Sequence, residues 1–228
     1  MNPEVSCIII TKNEEKYLPR LLESLKNQSY KNFEIIVSDF NSEDNTKQIA
    51  KKYGCKIVQG GKASLGRNNG AKASQGKYLL FLDADSILPK RFIEINLKKF
   101  IKSGKGVGTI EVKPDSNKLL YKIFYKIYHI WVIFFSKISP HSSGCAIFTT
   151  KKVFNKINGF NERVIFAEDH DYAKRAGKYG FVILPVPAYT SIRRFEREGK
   201  LKVALKLTYG GIIRIFHKEI EKPLFRYD

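Results

Sequence analysis

Two aspartates one residue apart, Asp83 and Asp85, close an apolar run that reads Tyr78-Leu-Leu-Phe-Leu82. A carboxylate buried without a partner is expensive, so acids at the end of a buried strand are capped, exposed at a rim, or bound to a cation. On extended backbone the pair can offer its oxygens to one hard cation, which suits Mg²⁺ or Mn²⁺ better than zinc. Taken alone, such a pair is more often a helix cap beside a rim charge. Three further residues change that balance. Asp39 ends a second apolar run, Phe33–Ser38, and can accept hydrogen bonds from a nucleobase or ribose. Arg67 sits in the glycine- and serine-rich stretch Gly60–Gly76 and can pair bidentately with a base or phosphate. Asp169, in Ala167-Glu-Asp-His-Asp-Tyr172, falls at a helix start and can take a proton from an incoming hydroxyl. A cation bridging a diphosphate stabilises it as a leaving group. Nucleotide anchor, cation and base together describe group transfer from an activated nucleoside diphosphate.

These residues need a frame. Val5–Thr11 is a nearly continuous β-branched run, as for a strand covered on both faces. Asn13-Glu14-Glu15 opens a helix carrying Tyr17, Leu18, Leu21, Leu22 and Leu25. A strand from Phe33, a helix from Ser42 to about Tyr53, a strand Cys55–Gln59 and a short helix Gly66–Ser74 precede the run into Asp83. Strand–helix alternation predicts an α/β fold, a mostly parallel central sheet with helices on both faces. Ligands bind outside the carboxyl ends of such strands, where Thr11, Asp39, Asp83 and Asp85 fall. Beyond lie a basic helix Arg91–Ile101, an edge strand Gly106–Val112, and an aromatic stretch Leu119–Ile138 with Lys118, Lys122 and Lys126 spaced by four. That stretch fits a buried crossover helix and a helix lying in a membrane interface equally well. Ser143–Thr149 is a strand opened by Gly144, Asp169 caps a helix running to Tyr179, and Phe181–Pro185 is a last strand. Three segments result: a nucleotide-binding half over 1–105, an acceptor half over 106–190 that includes 119–138, and a basic amphipathic tail over 191–228.

Composition narrows the class. The 228 residues carry 41 Lys+Arg against 22 Asp+Glu, a net charge of +19, which favours an anionic partner. Cys7, Cys55 and Cys145 are odd in number and lack metal-site spacing, which argues against a disulfide framework and fits a reducing compartment. Met-Asn-Pro-Glu leads straight into a strand, with no visible signal peptide. No unbroken apolar run approaches the ~20 residues that span a bilayer, the longest being Ile130–Phe135. His129, His141, His170 and His217 are scattered and read as structural or solvent-facing, and Trp131 as a packing or interface anchor.

The ordered motifs resemble a family 2 glycosyltransferase of the inverting GT-A type. The carriers are Ser6-Cys-Ile-Ile-Ile-Thr-Lys-Asn-Glu-Glu-Lys-Tyr-Leu18, Glu34-Ile-Ile-Val-Ser-Asp-Phe-Asn-Ser-Glu-Asp-Asn-Thr46, Gly66-Arg-Asn-Asn-Gly70 through Asp83-Ala-Asp85, Ser143-Gly-Cys-Ala-Ile-Phe148 and Asn158-Gly-Phe-Asn-Glu162 with Glu168-Asp169. The resemblance covers about residues 5–195. It implies that Asp39 binds the base of a UDP- or GDP-type sugar nucleotide, with Thr11, Asn13, Glu14 and Arg67 near the nucleotide. Asp83 and Asp85 would carry Mg²⁺ or Mn²⁺ and the diphosphate. Asp169 would be the general base, oriented by Glu168, with Asp171 a second possible base. Arg193 and Arg194, and the backbone at Gly144, would meet acceptor or diphosphate. Phe40 stands where many members carry a second aspartate, and the Gln-x-x-Arg-Trp motif of processive synthases is absent. The expected setting is a lipid-linked acceptor, with the protein cytoplasmic and peripheral at the inner membrane face. A nucleotidyltransferase would want a glycine-rich loop after the first strand, where Thr11–Glu15 has no glycine. A nucleic-acid binder would leave Asp39, Asp83, Asp85 and Asp169 unexplained, so no nucleic-acid partner is expected.

Overall fold

Alternate residues of the central strands go to opposite sides. Strand β1 (Val5–Thr11) sends Cys7 and Ile9 to one face and Ile8 to the other; β2 (Phe33–Asp39) does the same with Val37 and Ile36, and β4 (Tyr78–Asp83) with Leu80 and Leu82 against Leu79 and Phe81. Both faces are covered, so these strands read as unbroken apolar runs. This describes a computed structural model covering residues 2–136, 139–165, 167–199, 203 and 206.

On the first face lie α1 (Leu18–Lys26), α2 (Thr46–Lys52) and α4 (Phe92–Ser103). Leu18, Leu21, Leu22 and Leu25 of α1 recur at helical spacing and are fully buried. On the second face are α3 (Ala63–Lys72), α6 (Lys151–Lys156) and α7 (Glu168–Gly177). There Phe81, Phe154, Phe160 and Tyr172 form one aromatic cluster, with Phe160 and Tyr172 stacked at 4.1 Å. Deleting such a buried ring costs about 3–5 kcal/mol.

The remaining elements are β3 (Lys56–Gln59), β5 (Ser86–Ile87), β6 (Val107–Pro114), α5 (Leu119–Ser136), β7 (Ala146–Thr150), β8 (Phe181–Thr190) and α8 (Arg193–Glu198). All eight strands share one sheet, in the order β3-β2-β1-β4-β7-β6-β8-β5. The first four neighbours pair in parallel; β7 runs antiparallel to β4 and β6, and β6 is parallel to β8.

Several boundaries differ from the sequence reading. Helix α1 begins at Leu18 with Pro19 in its first turn, whereas Asn13-Glu14-Glu15 forms a turn held by Ser42 and by Thr46 at the start of α2. β6 is interior, between β7 and β8, and no edge strand. β8 runs to Thr190, past Pro185 and Pro187. The prolines fall at a break in the β6–β8 register between Ile110 and Val112, and buried Asn96 closes the gap by exchanging two hydrogen bonds with the Val186 backbone. Helix α7 is not capped by Asp169. Its N-cap is Ala167, in the left-handed region at φ 54°, and Asp169 lies inside the first turn. Counted over the whole helix, α5 is long and apolar enough to cross a membrane, although no unbroken run is, because Lys122 and Lys126 interrupt it. The expected amphipathic run Leu201–Phe216 lies, but for Val203 and Lys206, outside the described residues, as does His217. The three cysteines are free.

Candidate active site

The carboxyl ends of β1 and β2 are tied into one rigid corner. Asp39 is buried, and its carboxylate accepts from Thr11 Oγ1 at 2.9 Å, Ser42 Oγ at 2.6 Å and the Ser42 amide at 2.9 Å. Asn13 takes the left-handed region at φ 54°; its amide donates to Ser42 Oγ, and its Oδ1 accepts from the Glu43 amide. The Glu14 amide donates to Thr46 Oγ1 at 2.8 Å. Thr11, Asn13 and Ser42 thus hold the corner around the buried Asp39. Lys12 reaches over the Phe40 ring at 5.5 Å.

One strand over, the end of β4 and the start of α7 meet Arg67 in the middle of α3. This guanidinium is buried; Nη1 donates to Glu168 Oε1 at 2.5 Å, Nη2 to Asp83 Oδ1 at 2.9 Å, and the plane lies 5.4 Å from the Phe160 ring centre. Two carboxylates hold it charged in spite of burial. Both Nη atoms donate to protein carboxylates; the sequence had suggested contact with base or phosphate. Gly144 explains itself here. A Cβ on it would meet Arg67 Nη2 at 2.8 Å and Asp83 Oδ2 at 3.1 Å.

Asp169 faces the same corner. Its Oδ2 accepts from the Gly144 amide at 2.6 Å and its Oδ1 from the His170 amide at 2.9 Å. Burial, then Glu168, push its carboxyl up to about 7, against the pull of Arg67 and the two amides. Asp83 is pushed up to about 6, first by burial; Arg67 opposes this, and Asp85, Glu168 and Asp169 add to it. About a third of the Asp83 side chain, 38%, still faces the cleft. The left-handed Ala167 turns the chain so that Glu168 and Asp169 enter this corner on the first turn of α7; such a conformation costs a non-glycine residue about 1–2 kcal/mol. Asp171, on the same turn, instead accepts from Arg175 Nε at 2.8 Å.

Asp85 is held from the C-terminal side. Its Oδ2 accepts from Ser191 Oγ at 2.7 Å and lies 3.2 Å from Arg193 Nε, and its Oδ1 accepts from Thr190 Oγ1 at 3.3 Å. Both Nη atoms of Arg193 donate to Glu14 at 2.7 Å, and its guanidinium stacks on Tyr17 at 4.4 Å. Burial raises the Glu14 carboxyl, which Arg193 opposes and Asp85 and Asp83 reinforce. The sequence reading expected Glu14, Asp85 and Arg193 separately; their joining through one guanidinium it missed, with Ser191 and Thr190, because β8 was ended too early. Arg194 is exposed on α8. His170 lies against Asp169 and packs edge-on against His141 at 4.9 Å. His141 is pushed down to about 4, by burial first and then by His170, so it is neutral.

The donor set fits a cation shared with a substrate. Among the described residues no three His, Cys, Asp or Glu side chains converge on a ready metal cage. Mg²⁺ and Mn²⁺ are commonly held by one or two carboxylates with phosphate oxygens completing the shell, and Asp83 and Asp85 supply that number. Asp83 is raised first by burial, and the neighbouring Asp85, Glu168 and Asp169 add to it, so a cation placed there would favour its charged form.

Three comparisons with known proteins bear on this geometry. Residues 6–157, well over half of the chain, match the family model described as Glycosyl transferase family 2. An uncharacterized glycosyltransferase of Methanocaldococcus jannaschii is 32% identical over 203 residues, covering 80% of this chain and 68% of that protein. The mannosyltransferase PcManGT from Pyrobaculum calidifontis, in complex with GDP-Man and Mn²⁺, superposes with a TM-score of 0.75 at 19% identity, over 99% of this chain and 67% of that one. TarS 1-349 of S. aureus, in complex with UDP-GlcNAc, superposes with a TM-score of 0.65 at 23% identity, over 93% of this chain and 67% of that one. At these identities the solved structures speak for the fold alone. The chain spans 57% of the length of two further relatives, from Rickettsia prowazekii and Rickettsia typhi.

Proposed function

The chain belongs to glycosyl transferase family 2 and has the GT-A fold, and on that footing we propose that it moves a sugar from a nucleoside-diphosphate sugar, with inversion, to a hydroxyl or phosphate of a lipid-linked acceptor. The observation that carries this reading is the corner where Asp83, Glu168 and Asp169 meet around Arg67, across β1 from the hydrogen-bonded Asp39. Asp39 accepts from the base or ribose. Asp83 and Asp85 would hold Mg²⁺ or Mn²⁺, which when bound would supply positive charge to the leaving diphosphate. Arg193 lies against Asp85 and can share that charge.

Asp169 is the base. Its raised carboxyl titrates near neutrality, where a proton acceptor works best. The acceptor O–H gives its proton to an Asp169 oxygen. The acceptor oxygen bonds to the anomeric carbon from the face opposite the diphosphate, the bond from that carbon to the phosphate oxygen breaks, and the nucleoside diphosphate departs with the electron pair. The Gly144 and His170 amides hold the carboxylate, and Arg67 holds Glu168 beside it. A lipid-linked acceptor suits the exposed apolar face of α5, which packs on the helix that carries Arg193. A cytoplasmic protein at the inner membrane face accords with free thiols and a net charge of +19.

The test is a thermal-shift and hydrolysis screen of UDP- and GDP-sugars with Mn²⁺ or Mg²⁺. One sugar nucleotide should raise the melting temperature only with the cation present, by mass action on the native state. The reading is lost if no sugar nucleotide binds or is hydrolysed, or if Asp83→Ala leaves both unchanged.

A further inference from the structure

Helix α5 has one face on the domain and the other open. Tyr121 and Val132 are buried, Tyr121 and Tyr125 pack on Phe195 of α8, and Trp131 meets His141 edge-on at 5.2 Å. The opposite side presents Leu119, Ile123, Ile127, Ile130 and Phe134, which recur every three or four residues and align in one stripe. Leu119 is 69% exposed, Ile127 62% and Phe134 63%. Water-facing surfaces seldom carry a continuous apolar stripe of this length without a binding role. Lys122 and Lys126 flank it on one side. With Lys113 of β6 they line a groove of about 760 Å³. The acids there are partly offset: Glu111 lies 3.7 Å from Lys113 and 3.9 Å from Lys126, and Asp115 pairs with Arg20 at 2.7 Å.

We propose that this face of α5 docks on an anionic lipid surface, with the stripe at the acyl boundary and Lys113, Lys122 and Lys126 at headgroup level. Charge selects the occupant. Lysine stems lie along apolar surface while their ammonium groups reach phosphate, and a chain of net charge +19 is drawn to an acidic membrane. A second copy meeting the stripe about a two-fold axis would bring the same lysines against one another. Crossing the bilayer would pull Tyr121, Val132 and Trp131 off the domain, so the helix lies in the interface plane. The docking surface deepens the lipid-linked reading: α8, packed under α5, carries Arg193 into the transfer corner.

The experiment is co-sedimentation of the full chain with vesicles of phosphatidylcholine alone or mixed with phosphatidylglycerol. Binding to the mixed vesicles, weak binding to the neutral ones and release by salt are expected. Lys122→Glu with Lys126→Glu should weaken binding roughly tenfold or more. Ile127→Ser with Phe134→Ser should weaken it by on the order of tenfold, with an unchanged melting temperature because both side chains are exposed. The proposal is overturned by no sedimentation, by equal binding to neutral vesicles, by binding that both double variants leave intact, or by retention in membranes after carbonate washing, which means a crossing helix. A dimer that Ile127→Ser with Phe134→Ser dissociates, without vesicle binding, assigns the face to a second copy. Sugar-nucleotide hydrolysis in solution is followed in parallel. Hydrolysis without vesicle binding overturns the surface alone; vesicle binding without hydrolysis overturns the transfer chemistry alone.

Discussion

Asp39 and Asp83 end parallel strands on either side of β1, yet their surroundings are opposite. Asp39 accepts three hydrogen bonds from neutral donors on Thr11 and Ser42, all within its own corner. Asp83 has one charged partner, Arg67, and is pressed by Asp85, Glu168 and Asp169. The first site is satisfied before any ligand arrives, which suits a group that must present a fixed edge to a base. The second is held in a state that added positive charge would relieve. A transfer site gains from that arrangement, because it favours a cation and diphosphate and keeps a nearby carboxylate ready to accept a proton.

The contrast can be broken at several points, the largest effect first. Asp169→Asn keeps the shape and one of the two accepted amide bonds, sets an NH2 against the other amide, and cannot take a proton. Transfer should fall by about 10²–10⁴-fold with the fold intact, as single-turnover rates and a melting curve would show. Arg67→Met leaves Glu168 and Asp83 facing each other without their shared cation. A loss of about 3–5 kcal/mol in chemical denaturation is expected, partly recovered when Mn²⁺ and a sugar nucleotide are added. Asp39→Asn puts an amide donor against Thr11 and Ser42 and should cost about 1–3 kcal/mol. Added cation should not recover it, since none of its partners is charged.

The pH response should be smaller and reports on the second corner. Asp83 and Asp169 have folded-state values raised to about 6 and about 7, above the ordinary carboxylate range. Their contribution to stability is full below that range and is lost as pH rises through 6 and 7. Lowering the pH from 7.5 to 5 should therefore raise the melting temperature of the ligand-free protein, by a few degrees at about 2–4 °C per kcal/mol at this size, the two acids outweighing the opposite effect of charging buried His141. Asp44 and Glu198, whose values are lowered, give way only at more acid pH. Asp83→Asn with Asp169→Asn should abolish the rise and leave the opposing loss from His141, whose value is lowered by burial. Transfer should run the other way, rising with pH as Asp169 loses its proton.

Much of the frame was legible because its cause is local. Covered strands need apolar residues on both faces, and the β-branched run Val5–Thr11 meets its structural bounds to the residue. The acids were visible for the same reason, standing at the ends of runs that otherwise exclude charge. What escaped involves partners far apart in the chain. Arg67 and Glu168 are 101 residues apart, and Glu14 and Arg193 are 179 apart. Neither pairing leaves a local pattern, and the prolines at 185 and 187 hid the strand end that brings Ser191 to Asp85.

The sequence by itself determined the alternating α/β frame, the rim on which Asp39, Asp83 and Asp85 stand, and the family. Residue type and period carry that information, because burial of apolar side chains acts on each element separately. Only the tertiary structure decided that Arg67 faces two acids, that Arg193 joins Glu14 to Asp85, and that α5 keeps its apolar stripe in the open. Those outcomes depend on which surfaces meet, and charge pairing and exposure are properties of the meeting.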